Sequence, residues 1–408
     1  MFVPVLAYSL LGHSGLHGGH YELVTPSDLW SLAASAWALG HGQFGHVYVP
    51  KGALTSPPAF EVLLAPLLLA AQAVGLAPHL HASGPPLSLW FVLGPAALLV
   101  ASTALFSVDA VARYWDLSTR SRLVLGLVGA VAVGNVAGLW GHPEDCVALA
   151  MVVWAALQLE RNGTSAGPRA ALLIGVGIAF QPLAILGVAP VLTRLGWKAA
   201  ARLSWRLVLP SAAVLAAPLI GEPHRTLFVL VRQPFLPHFI SFTPLTHLAP
   251  VLGPGVDGGG PTRLISTLLS AGLAIVVCRR RSDLAAVLTM TAIACFLRVL
   301  LETELNWYYV WPVAALCLLL SARRGPGRFY VCSAALVASI LLSNHNAIHH
   351  VAPWLPALMT TLAVMLACAA LPLREVVPAG RWPATAGPSP PVECEAMMVQ
   401  VRAGQRSE

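Results

Sequence analysis

The chain has 408 residues, of which 57% are hydrophobic and only 10% charged, and its mean hydropathy is +0.74. A soluble protein carries roughly 25% charged residues to cover its surface, so most of this surface must face lipid. The net charge of +7 comes almost wholly from arginine, Lys51 and Lys198 being the only lysines. In so apolar a chain that charge reports membrane topology rather than nucleic acid. The seven cysteines show no CxxC spacing, which argues against a disulfide framework or a zinc site.

The first stretch, Met1 to Gly12, is apolar but shorter than the roughly 20 residues a span needs. It lacks the basic n-region and cleavage site of a signal peptide, and reads as a tilted or truncated first span. A polar segment rich in Gly and His follows, from Tyr21 to Pro58. Ser27 or Asp28 is placed to cap a helix. Leu29, Leu32, Ala33, Ala36 and Trp37 then recur at helical spacing, predicting an amphipathic surface helix over 28–40. Gly40 and Gly42 end it, and His41, Phe44, His46 and Tyr48 lead to Lys51 and the pair Pro57-Pro58.

Apolar runs then lie near 59–77, 88–110, 123–140, 146–159, 170–193, 204–220, 264–278, 284–300, 307–321, 329–343 and 351–373. They predict an all-α polytopic transmembrane bundle of roughly 10–12 spans, some short enough to require tilt or local thinning. The membrane domain covers 1–373, and the Pro/Gly/Ser/Glu-rich 374–408 reads as a disordered cytoplasmic tail.

Arginine clusters at 113–122, 161–169, 194–206, 279–281 and 323–328 mark the cytoplasmic side. The external face then holds loop 13–58, the turn 141–145, the long loop 221–262, and loops 301–306 and 344–350. Run 170–193 has basic residues at both ends, which requires a hairpin turning near Gln181-Pro182. Simple counting through 59–77 and 88–110 conflicts with an external Asp28, unless one of those runs fails to cross or the first basic cluster breaks the rule. Cys146 and Cys278 are expected near opposite faces.

Acids near spans are costly and point to function. The turn Trp140-Gly141-His142-Pro143-Glu144-Asp145 either complements the dipole of the next helix or binds a polar substrate. One His with two carboxylates is a weak metal signal. Glu61 sits at the same boundary. Arg298 either pairs with Glu302 four residues on or grips a lipid phosphate. Asn306, Tyr308 and Tyr309 belong to an aromatic belt that also suits a sugar. Arg225 lies in the long external loop, which could serve as a lid.

This layout resembles the GT-C-fold integral-membrane glycosyltransferases, and is most similar to the actinobacterial polyprenyl-phosphate-mannose-dependent mannosyltransferases. The residues carrying the resemblance are Asp28, Gly42, Tyr48, Pro57-Pro58, the turn His142-Pro143-Glu144-Asp145, the run ending IAFQPLAILGVAPVL, and Trp307-Tyr308-Tyr309-Val310-Trp311-Pro312. Leu32, Ser56 and Gln181 depart from the aromatic, tyrosine and lysine frequent there. The resemblance implies a GT-C-like bundle in the cell membrane with Asp28 as catalytic base. It implies inverting transfer of a sugar, with mannose the expected one, from a polyprenyl-phosphate donor to a lipid or glycan acceptor. Lys51, Glu61, His142, Glu144, Asp145, Arg225, Arg298, Asn306, Tyr308 and Tyr309 are the expected substrate-binding residues. No cofactor or nucleic acid is called for; membrane lipids are the remaining partners. The alternative class is a non-enzymatic polytopic protein, a lipid-linked-sugar carrier or an inactive relative, for which inverted repeats and mid-span charges would speak.

Overall fold

The computed structural model describes residues 14–17, 20–23, 27–48, 56–75, 87–232, 259–280, 282–301, 307–344 and 354–370. The first run, Lys51, Glu302, Asn306, most of loop 221–262, loop 345–353 and the tail lie outside these residues. A short antiparallel hairpin opens the described chain, β1 (Ser14–His17) against β2 (His20–Leu23), in register Ser14↔Leu23. Everything else regular is helical: α1 (Ser27–Gly40), α2 (Ala59–Ala73), α3 (Leu87–Ala101), α4 (Thr103–Tyr114), α5 (Thr119–Gly134), α6 (Pro143–Asn162) and α7 (Gly167–Phe180). There follow α8 (Val188–Leu192), α9 (Trp197–Gly221), α10 (Pro223–Arg232), α11 (Gly259–Cys278), α12 (Leu284–Leu301), α13 (Trp307–Arg324), α14 (Pro326–Asn344) and α15 (Trp354–Ala370).

The chain is thus an all-α helical bundle in which, among the described residues, five helices are long and apolar enough to cross a membrane: Val92–Tyr114, Thr119–Gly138, the α6–α7 stretch Pro143–Phe180, Trp197–Gly221 and Leu284–Leu301. Five more apolar helices among these residues run only 10–17 residues. Several of the expected 10–12 spans are short helices of this kind. The run 170–193 is one such case: α7 stops at Phe180, Gln181 is extended, and a 3₁₀ segment Pro182–Gly187 turns the chain into α8. The hairpin expected there is present.

The amphipathic helix over 28–40 is also present, as α1. Its stripe does not lie on lipid, however. Leu29, Leu32, Ala33 and Ala36 are buried in a cluster with Phe60, Leu64 and Leu68 of α2 and Leu93 and Ala97 of α3. The two helices run side by side in the same direction. A Cβ on Gly40 would stand 3.3 Å from Leu69, and His41 Nε2 lies 3.1 Å from Gln72 Oε1. Just beyond α1, a Cβ on Gly221 at the end of α9 would come within 2.5 Å of the Gly45 backbone nitrogen, so that close approach requires glycine. Helix α2 thus lies along α1, and a helix so placed need not cross, which would remove the counting conflict in the first hundred residues.

The arginine clusters gather at the other end. Arg122 and Arg113 both pair with Asp109 at 2.8 Å, and Arg194 with Glu160 at 2.8 Å. The Arg161 guanidinium lies over Tyr114 and that of Arg323 over Trp115. Helix α6, at about 1.5 Å per residue, separates this end from His142 by roughly 30 Å.

Cys146 and Cys278 are both buried, so the native thiols do not report topology. Exposed Gln43 and Thr164 occupy opposite ends. In a background with Cys368 and Cys394 replaced by Ser, an impermeant maleimide on intact cells should label Gln43→Cys and spare Thr164→Cys. The reverse pattern would invert the assigned orientation.

Candidate active site

The turn between α5 and α6 builds the centre of the site. A π-helical turn, Asn135–Leu139, widens the end of α5, and such turns recur at functional sites. Gly141 then takes φ +76°, where a side chain would be strained, and lets the chain reverse. Pro143 starts α6 with its φ already set. His142 is thereby held at the helix N-cap, with Glu144 and Asp145 in the first turn near the positive end of the helix dipole. The dipole reading of these acids and the binding reading are therefore compatible.

His142 joins two acids that are remote from each other in the chain. Its Nε2 lies 2.8 Å from Asp28 Oδ2, and its Nδ1 lies 2.7 Å from Glu144 Oε1. Against two ionised carboxylates, which only accept, both ring nitrogens would donate, as an imidazolium does. Burial works against that charge, but the Glu144 and Asp28 carboxylates outweigh it and hold the His142 pKa well above 6.5. The ring also stacks on Tyr308 with centroids 3.8 Å apart.

The remaining groups surround this chain of charges. Glu61, at the start of α2, is 1% exposed and close enough to Glu144 for the carboxyls to interact. Glu61 Oε1 and Glu144 Oε2 have no hydrogen-bond partner among the described residues. Asp145 lies close enough to Gln181 and Arg298 for both to interact with its carboxyl. The Arg298 guanidinium lies 4.8 Å from the centre of the Tyr309 ring, which meets Tyr308 edge-on at 4.5 Å. Asp28, Glu61, His142, Glu144, Asp145, Arg298, Tyr308 and Tyr309 thus converge.

Arg225 is placed differently. Its Nε donates to the Tyr48 carbonyl at 2.9 Å, tying α10 to the segment after α1. The Tyr48 hydroxyl in turn donates to the Ser56 carbonyl at 3.0 Å, and burial pushes its phenol pKa up. Arg225 therefore fastens the segment after α1 to α10, a structural role that sequence did not suggest. Gln181 was legible only as the polar break in a hairpin; the structure also sets it beside Asp145. Among the described residues no set of three or more His, Cys, Asp or Glu side chains is arranged to hold a metal ion.

The imidazolium makes a pH signature. A group whose folded pKa is raised stabilises the fold fully below its ordinary value and loses that contribution as pH rises through the folded value. The stabilisation from His142 should therefore be complete below about 6.5 and disappear well to the alkaline side. Thermal stability of the detergent-solubilised protein should fall there, and His142→Gln should flatten that fall. An unchanged alkaline slope in the variant would contradict the charged assignment.

No protein-family model matches this chain, and no curated protein matches it.

Proposed function

We propose that the protein is a GT-C-like glycosyltransferase of the cell membrane, moving a sugar from a polyprenyl-phosphate donor to a lipid or glycan acceptor at the extracytoplasmic face. Mannose is the sugar expected from the family resemblance. The observation that carries this reading is the difference in access among four converging acids. Glu61, Glu144 and Asp145 are buried, whereas the Asp28 side chain is 41% exposed. Only Asp28 can meet an incoming hydroxyl, and His142 holds one of its oxygens.

In the transfer, the acceptor oxygen forms a bond to the anomeric carbon while the bond from that carbon to phosphate breaks. The electron pair leaves with the polyprenyl phosphate, and the acceptor's proton passes to Asp28. A single displacement inverts the anomeric configuration. The donor already carries a good leaving group, so one base and a cation for the departing phosphate are the chief requirements. Arg298 supplies the planar guanidinium suited to phosphate. Tyr308 and Tyr309 offer faces for the sugar.

Membranes containing the protein should transfer label from polyprenyl-phosphate [¹⁴C]mannose to a new lipid or glycan fraction, beyond membranes without it. Absence of transfer across a panel of polyprenyl-phosphate sugars and lipid acceptors would remove the enzyme reading.

A further inference from the structure

At the arginine end, a cavity of about 390 Å³ opens between α4, α5 and α13. Its walls are almost wholly apolar, formed among others by Leu105, Leu125, Val133 and Leu318. Phe106 and Leu123, which also line it, are 66% and 64% exposed, so the cavity opens sideways onto the apolar flank of the bundle. Trp311 closes one end, a single helical turn from the Tyr308 that stacks on His142. The other end is polar, with Thr119, Asp109 and Arg122.

We propose that this cavity is a binding site for an anionic phospholipid, with one acyl chain inside and the phosphate on Arg122. Charge complementarity selects the headgroup. Arg113, Arg120 and Arg122 stand against Asp109 and Asp116 on the same segment, three positive charges to two negative. Arg122 directs Nε and Nη2 at Asp109, which fixes the guanidinium while leaving N–H groups for a phosphate. A zwitterionic headgroup gains little from this surplus, whereas an anionic one does. Basic pockets between membrane helices recognise anionic headgroups in this way. The inference is independent of glycosyl transfer, because none of these groups belongs to the Asp28 site.

The test uses the full-length protein in nanodiscs of phosphatidylcholine doped with phosphatidylglycerol carrying a diazirine at one chain end. Photolabelling should concentrate on peptides from α4, α5 and α13 and exceed that by diazirine-phosphatidylcholine. Arg122→Gln should cut the phosphatidylglycerol advantage about fivefold, one arginine's contribution near an anionic headgroup. Asp109 keeps Arg113 in that variant, so the fold is retained. Ala315→Phe, which fills the cavity, should remove cavity labelling by both lipids. Equal labelling by the two lipids, label spread evenly over α9 as well, or an Arg122→Gln protein with undiminished preference would overturn the proposal. So would displacement of the label by polyprenyl phosphate but not by unlabelled phosphatidylglycerol, since the cavity would then be a prenyl-chain site.

Discussion

Asp28→Asn should lower sugar transfer by about 10²–10⁴-fold, the usual contribution of a positioned acid or base, with little change in membrane level. The argument rests on what the substitution keeps. Asparagine retains the shape and a carbonyl oxygen at the N-terminus of α1, where the side chain accepts from His142 Nε2 at 2.8 Å. It loses the capacity to take a proton from an acceptor hydroxyl. His142 keeps Glu144 as its partner at 2.7 Å, so removing the Asp28 charge leaves no buried charge without a counter-charge. A normally expressed variant that transfers at the wild-type rate would take the base assignment from Asp28. If Glu144→Gln were the inactive variant, the catalytic group would lie in the turn after α5.

The second large effect is on stability. His142→Leu removes the imidazolium from between two carboxylates, one of which, Glu144, has a side chain only 4% exposed. Stranding a buried charge after deleting its partner costs about 3–5 kcal/mol. The thermal midpoint in detergent should fall accordingly. Adding Glu144→Gln removes the stranded charge, so the double variant should recover much of the loss while remaining poor in transfer. A double variant as unstable as the single one would instead assign the effect to lost stacking on Tyr308, whose ring lies 3.8 Å away.

Much of this architecture is legible in local pattern. The capping residues Ser27 or Asp28 and the spacing of Leu29, Leu32, Ala33 and Ala36 pointed to α1, and Gln181-Pro182 to the hairpin, because helix boundaries follow from nearby residues. The identity of the site residues was legible too, since acids are costly in so apolar a chain. Their arrangement was not. Asp28 and His142 are 114 positions apart, and nothing in either segment names the other as its partner. Likewise, the 15 residues of α2 resemble a short span, and only the packing of Leu69 on Gly40 and the His41–Gln72 contact show that it follows α1 along one end of the bundle. Arg225 shows the same limit. An arginine in an apolar chain suggests an anionic ligand, and its bond to the carbonyl of Tyr48, a main-chain group whose position depends on tertiary packing, could not be read from sequence.

Whether the converging acids perform chemistry is tested most directly with the purified protein in liposomes, supplied with polyprenyl-phosphate mannose labelled in both sugar and phosphate, together with a lipid acceptor extract. The proposed mechanism requires bond cleavage: sugar label should appear in a new product while labelled polyprenyl phosphate accumulates mole for mole, and Asp28→Asn should suppress both. Donor that crosses the bilayer with its sugar still attached, at equal rates in wild type and Asp28→Asn, would contradict it and identify a carrier.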